Sequence, residues 1–238
     1  MIPLSHRCEI VRQTLDRVIP EPQVPLQHKD AFTLLIAVML SAQCTDARVN
    51  KVTPALFQRA DTPEKMAELT PEIVRKYIAS CGLTERKAAS VVGISRQLVE
   101  RFGGRVPASF EELESLPGVG HKTASVVMNQ AFGIPAFPVD THIFRLARLW
   151  RLSQGKTVVK VEEDLKRLFC QSLWGKLHLQ MVLYGRQFCP ARGCGGNCPV
   201  CRALAEEEIA TAPKKKASGV ASREKTRSRT QSADSKPL

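Results

Sequence analysis

LPGVGHKTASVV, residues 116 to 127, sets two glycines between two stretches of helical pattern. Upstream, Ser109 to Glu112 follows the S-x-x-E capping box that starts a helix. Downstream, Ala124, Val127, Met128 and Ala131 keep the i, i+3, i+4, i+7 spacing of one buried helical face. The stretch therefore reads as a helix, a tight hairpin and a second helix. Gly118 and Gly120 let the backbone take positive φ and approach a surface closely, and the free N–H groups that open the second helix favour a phosphate oxygen. A purely structural turn between helices would use the same glycines, so the hairpin by itself supports both readings.

Lys122 falls in the first turn of that second helix. The positive end of the helix dipole disfavours a cation there and lowers its affinity for a proton. A lysine that spends more time as the free amine can attack a sugar C1′ and form a Schiff base. A solvated lysine holding a phosphate fits the same spacing. Further along, Asp140 in FPVDTHIFR (137 to 145) precedes the apolar series Ile143, Leu146, Ala147 and Trp150 and reads as a helix N-cap. A carboxylate in that position can also face a cleft, stabilise a developing oxocarbenium charge and assist proton transfer.

Outside these segments the chain also reads as helices. Thr70-Pro71-Glu72 is an N-cap followed by proline at the first helical position. Period-two apolar alternation is nowhere sustained, and glycines punctuate short connections, so the expected fold is all-α. The longest apolar run, Leu34 to Leu40, is far shorter than the roughly 20 residues a bilayer span needs, and it reads as a buried helix. The first twenty residues carry charges every few positions and show no export signal, so the cytoplasm or nucleoid is the expected compartment.

The chain holds 35 Lys and Arg against 23 Asp and Glu, with pI near 9.6, which favours a polyanionic partner over a small neutral ligand. Residues 212 to 238 contain eight of those basic residues and two acids, so this segment carries +6 of the net +12. It has almost no large apolar side chain and is expected to be a disordered basic tail, either attracting phosphates or simply solubilising the chain. Cys189, Cys194, Cys198 and Cys201 crowd into thirteen residues, a density that in an unsecreted protein argues for metal ligation. Four thiolates suit either an iron–sulfur cubane or tetrahedral zinc.

Taken together, LSAQCTD (40 to 46), GLTERKA (82 to 88), LPGVGHKTASVVMNQAFG (116 to 133), VDTHIFR (139 to 145) and LYGRQFC (183 to 189) resemble the successive blocks of the endonuclease III family, in the helix-hairpin-helix DNA glycosylase superfamily. The resemblance covers nearly everything before the tail. It implies two helical lobes flanking a DNA-binding cleft: a six-helix lobe over 24–134, and a second from 1–23 plus 135–211 that carries a C-terminal iron–sulfur loop. It implies a bifunctional glycosylase and lyase that removes oxidised pyrimidines from damaged double-stranded DNA and cleaves 3′ to the abasic site. Lys122 would be the nucleophile and Asp140 the assisting carboxylate. Gln43 and Leu83 would fill the emptied duplex position, and Gly118, Gly120, His121 and Arg192 would contact DNA. Asp46 stays outside the catalytic set as a local cap. The resemblance further implies a monomer acting at the nucleoid, with a 4Fe-4S cluster on the four cysteines and zinc as the alternative occupant.

The family pattern is C-x6-C-x2-C-x5-C, whereas this chain has C-x4-C-x3-C-x2-C. The first loop, residues 190–193, is therefore two residues shorter than its family counterpart. Two other functions share parts of the pattern. An adenine glycosylase of the mismatch-repair type has the hairpin and cluster but usually lacks the lysine, and a non-enzymatic DNA-binding module needs neither Lys122 nor Asp140.

Overall fold

The computed structural model describes residues 2–212, so most of the basic tail lies outside the described residues. Among those residues there are twelve α-helices, one short 3-10 turn and no strand. The all-α expectation holds because apolar positions recur at helical spacing and nowhere in strict alternation. Buried apolar side chains gather into two clusters.

The first cluster is organised around α2 (Ala31–Leu40), whose sequence AFTLLIAVML has no polar face; nine of its ten residues are buried. Each buried leucine or isoleucine contributes about 1.5–3 kcal/mol, so this helix anchors its surroundings. Its start is fixed by Asp30 and Thr33, which cap each other's backbone. Around it stand α3 (Asp46–Arg59), α4 (Pro63–Ala67), α5 (Pro71–Tyr77), α6 (Thr84–Phe102), α7 (Phe110–Glu114) and α8 (His121–Phe132). Helices α4 and α5 pack on α6, and α2 packs on α8.

The second cluster joins α1 (Leu4–Val18) to the C-terminal α9 (Thr141–Leu149), α10 (Val158–Leu168), α11 (Trp174–Gln187) and α12 (Pro199–Ala210). The face expected from sequence, Ile143, Leu146, Ala147 and Trp150, is buried here. Helix α11 crosses α9 at Gly185, where an added Cβ would lie 2.9 Å from the Cβ of His142. Only glycine permits that approach, which sets the C-terminal part of α11 beside the start of α9.

Candidate active site and metal centre

The hairpin forms as α7, a turn and α8. Ser109 caps α7 by accepting from the Glu112 N–H at 3.4 Å. Gly118 takes φ +79, and an added Cβ would meet the Ser90 hydroxyl at 2.7 Å, so both its conformation and its neighbours require glycine. Gly120 differs from the expectation of two left-handed glycines. It is extended (φ −102, ψ 176), with nothing within 4 Å of where a Cβ would stand. Its missing side chain therefore leaves open space in front of α8, and no side chain caps that helix's first N–H groups.

Lys122 follows in the first turn of α8 and lines a cleft of about 860 Å³. Both buried clusters contribute to the walls. Gln43, Asp46 and Lys122 come from one side, and Asp140, His178 and Arg186 from the other. Lys122 keeps exposed surface toward the cleft. Crowding by the cleft walls pushes its amine below the ordinary lysine range; Asp140 and Asp46 pull it back up, and Arg186 pushes it down. The result is a reachable amine that gives up its proton more readily than a surface lysine.

Asp140 caps α9 as its sequence suggests, with Oδ1 accepting from the Ile143 N–H at 2.9 Å. The same side chain borders the cleft, so the capping and cleft-facing readings hold together. Behind Lys122 sits His178, buried, its Nδ1 donating to the Pro138 carbonyl at 2.8 Å. Burial, and then the charge of Lys122, push His178 down to about 4, so its imidazole is neutral near pH 7.

Gln43 is exposed in the cleft with φ 54, and Leu83 is 52% exposed with φ 49. Among the described residues only one other non-glycine, Arg151, has positive φ. Strained backbone of this kind clusters at ligand-contacting positions, and here it marks both residues expected to enter the duplex. Leu83 does not line the cleft itself; it opens α6.

His121 is held differently from a free phosphate contact. Its Nδ1 lies 2.8 Å from Glu114 and its Nε2 3.3 Å from Glu162. Burial works against its protonation, but the two carboxylates outweigh it and raise its affinity for a proton. The ring thereby braces α8 between α7 and α10. Arg192 is exposed on the cysteine loop and does not line the cleft.

Asp46 is not the local cap expected. Thr45 caps α3, accepting from the Arg48 N–H at 3.3 Å, while Asp46 pairs with Arg186 at the cleft. His178 and Arg186, to which the sequence assigned no role, line the cleft together with Asp46. One signal was available: His178, Val182 and Arg186 stand at i, i+4 and i+8 on α11, and all three line the cleft.

The four cysteines at positions 189, 194, 198 and 201 converge as a metal-binding group, their Sγ atoms all within 4.8 Å of one another. Cys189 directly follows Phe188, the C-cap of α11, and Arg145 of α9 donates to its sulfur at 3.8 Å. Cys198 and Cys201 open α12, and Tyr184 on α11 accepts from the Val200 N–H at 2.9 Å. The centre thus clips α12 to α9 and α11. Among the described residues no helix is long and apolar enough to cross a membrane.

The family described as HhH-GPD superfamily base excision DNA repair protein matches residues 36–171. Endonuclease III of Treponema pallidum (strain Nichols) is 47% identical over 188 residues, 79% of this chain and 89% of the relative. Endonuclease III of Escherichia coli (strain K12) is 45% identical over 173 residues, covering 73% and 82%. Among solved structures, a trapped covalent intermediate of endonuclease III with DNA, the estranged-adenine complex, superposes with TM-score 0.80 at 35% identity, covering 87% of this chain and 99% of that one. The chain therefore belongs to the HhH-GPD superfamily of base excision DNA repair proteins and, within it, to the endonuclease III family.

Proposed function

We propose that this chain is a bifunctional DNA glycosylase and abasic-site lyase that works on oxidised pyrimidines in duplex DNA, with Lys122 as nucleophile and Asp140 as its assisting carboxylate. A target base leaves the stack and enters the cleft, because its reacting carbon is unreachable inside a duplex. Gln43 and Leu83 fill the vacated space, and the hairpin around Gly118 and Gly120 holds the backbone through the uncapped N–H groups of α8. Arg192, exposed on the cysteine loop, adds a phosphate contact outside the cleft. The protein acts as a monomer at the nucleoid. Its lobes are residues 24–134 and residues 1–23 plus 135–211, a division supported by the two buried clusters.

In the chemical step the Lys122 nitrogen bonds to C1′ as the bond from C1′ to the base nitrogen breaks, and the base departs with the electron pair, protonated by the proton that Asp140 relays from the attacking amine. Asp140 offsets the positive charge that grows on the sugar and accepts the proton that the attacking amine sheds. The sugar ring opens to the Schiff base. Loss of a proton from C2′ then breaks the C3′–oxygen bond, cutting the strand 3′ to the site, and water releases the lysine. Neutral His178 backs Lys122 without adding a competing charge.

For the metal centre, the family resemblance favours a 4Fe-4S cluster, whereas the close spacing of the sulfurs fits that cluster poorly. No step above runs through the metal.

The observation that carries this reading is the pairing of Lys122 and Asp140 in one cleft, with an amine readier than usual to lose its proton. Borohydride reduction on abasic-site DNA tests it. The wild type should give a covalent adduct at Lys122, and Lys122→Ala should give none while still binding DNA. An adduct of normal yield in that variant would overturn the assignment. A non-enzymatic binding module would give no adduct with either chain.

A further inference from the structure

We infer that the four-cysteine loop holds a single tetrahedral ion of the zinc class in place of the 4Fe-4S cluster that its family pattern implies. Spacing alone does not decide this, since cubane motifs with arms as short as two residues exist. The sulfur positions do. All four Sγ atoms lie within 4.8 Å of one another, with Cys189 and Cys194 at 3.6 Å and Cys194 and Cys201 at 3.7 Å. Four thiolates around one zinc, each bonded at about 2.3 Å, form a tetrahedron with edges of about 3.8 Å. A cubane instead takes each thiolate on a different iron, with the bonds splayed outward from its corners. Its sulfurs must stand well beyond a mononuclear edge, and this set has no room for it.

The loop is built for the smaller centre. Cys198 is the N-cap of α12, Pro199 its first helical residue and Cys201 lies in its first turn, so the pair C-P-V-C presents two thiolates at the end of one rigid element. Gly193, Gly195 and Gly196 have φ of +91, +59 and +80, and they curl the chain on both sides of Cys194 back toward that pair. Cys189, at 0% exposure, completes the set from the end of α11. The surroundings add only structural ties: Arg145 to Cys189, and Tyr184 to the backbone of Val200. Zinc is d¹⁰ and has no redox chemistry, so such a centre clips α12 in place and transfers no electrons.

The test needs no enzymatic readout and is independent of the lysine chemistry. The full chain is produced in cells supplied with both iron and zinc and purified without oxygen, and its metals, acid-labile sulfide and absorption spectrum are measured. About one zinc per chain, without sulfide or iron–sulfide charge-transfer absorption, is expected. About four irons and four sulfides per chain would overturn the inference. The wild-type chain is then stripped with a chelator and titrated with cobalt(II), which avoids any cysteine variant that fails to fold. One equivalent should give the intense d–d bands of tetrahedral cobalt thiolate, erased by zinc. Uptake of no cobalt, or a weak octahedral spectrum, would refute the assignment as well.

Discussion

Asp140 gives one carboxylate oxygen to the backbone of Ile143 and still borders the cleft that holds Lys122. Asparagine caps helices about as well as aspartate, so Asp140→Asn removes charge while sparing the fold. Stability should stay within about 0.5 kcal/mol, DNA affinity should change little, and base excision should fall on the order of a hundredfold or more, because charge stabilisation belongs to the transition state. Parallel losses of affinity and excision would count against the assignment. His178 makes a separate prediction. Its folded value of about 4 lies below the ordinary 6.5, so between these the unfolded chain takes up a proton that the folded one excludes. Stability should therefore fall as pH drops from about 6.5 toward 4, by roughly 3 kcal/mol from this residue. His121 has the opposite sign: raised by its two carboxylates, it stabilises below about 6.5 and loses that contribution as pH rises through its folded value. His178→Gln should isolate the first effect, since glutamine can still donate to the Pro138 carbonyl; urea melts from pH 4 to 8 should show a flatter acid limb. Unchanged pH dependence would mean that His178 is not the group excluded from protonation.

Helix α6 begins on a strained residue. Leu83 is its N-cap in the left-handed region, which costs a non-glycine roughly 1–2 kcal/mol, and half-exposure returns little of that through burial. Leu83→Gly should therefore raise thermal stability by about 0.5–1 kcal/mol, net of glycine's larger unfolded-state entropy, while excision from duplex DNA falls. A variant that lost stability and kept full activity would make Leu83 a packing residue. Elsewhere, helix boundaries were readable wherever a capping side chain acts on its own backbone three residues on, as at Ser109 and Asp140. The same local chemistry starts α2 at Asp30 and α3 at Thr45. The misassigned cap at Asp46 had a tertiary cause: its carboxylate turns to Arg186, 140 residues away in sequence.

Across the molecule, positive charge is divided between residues 1–211 and residues 212–238, each with about half of the net +12. Removing residues 212–238 should weaken nonspecific DNA binding and flatten its dependence on salt, because fewer phosphate counterions are released. Binding isotherms at several salt concentrations check this, and an unchanged slope would assign the segment no role in phosphate attraction. Helical periodicity, capping boxes, the hairpin glycines, Lys122, Asp140 and the four cysteines were all determined by the sequence by itself, since each depends on residues close together along the chain. Only the tertiary structure decided that His178 and Arg186 of α11 and Asp46 of α3 meet Lys122 in one cleft, that both nitrogens of His121 are taken by carboxylates, and that the four sulfurs gather within 4.8 Å of one another. Those facts depend on how separate helices pack, and the crossing of α9 and α11 at Gly185 is set by steric fit between distant residues that no local pattern encodes.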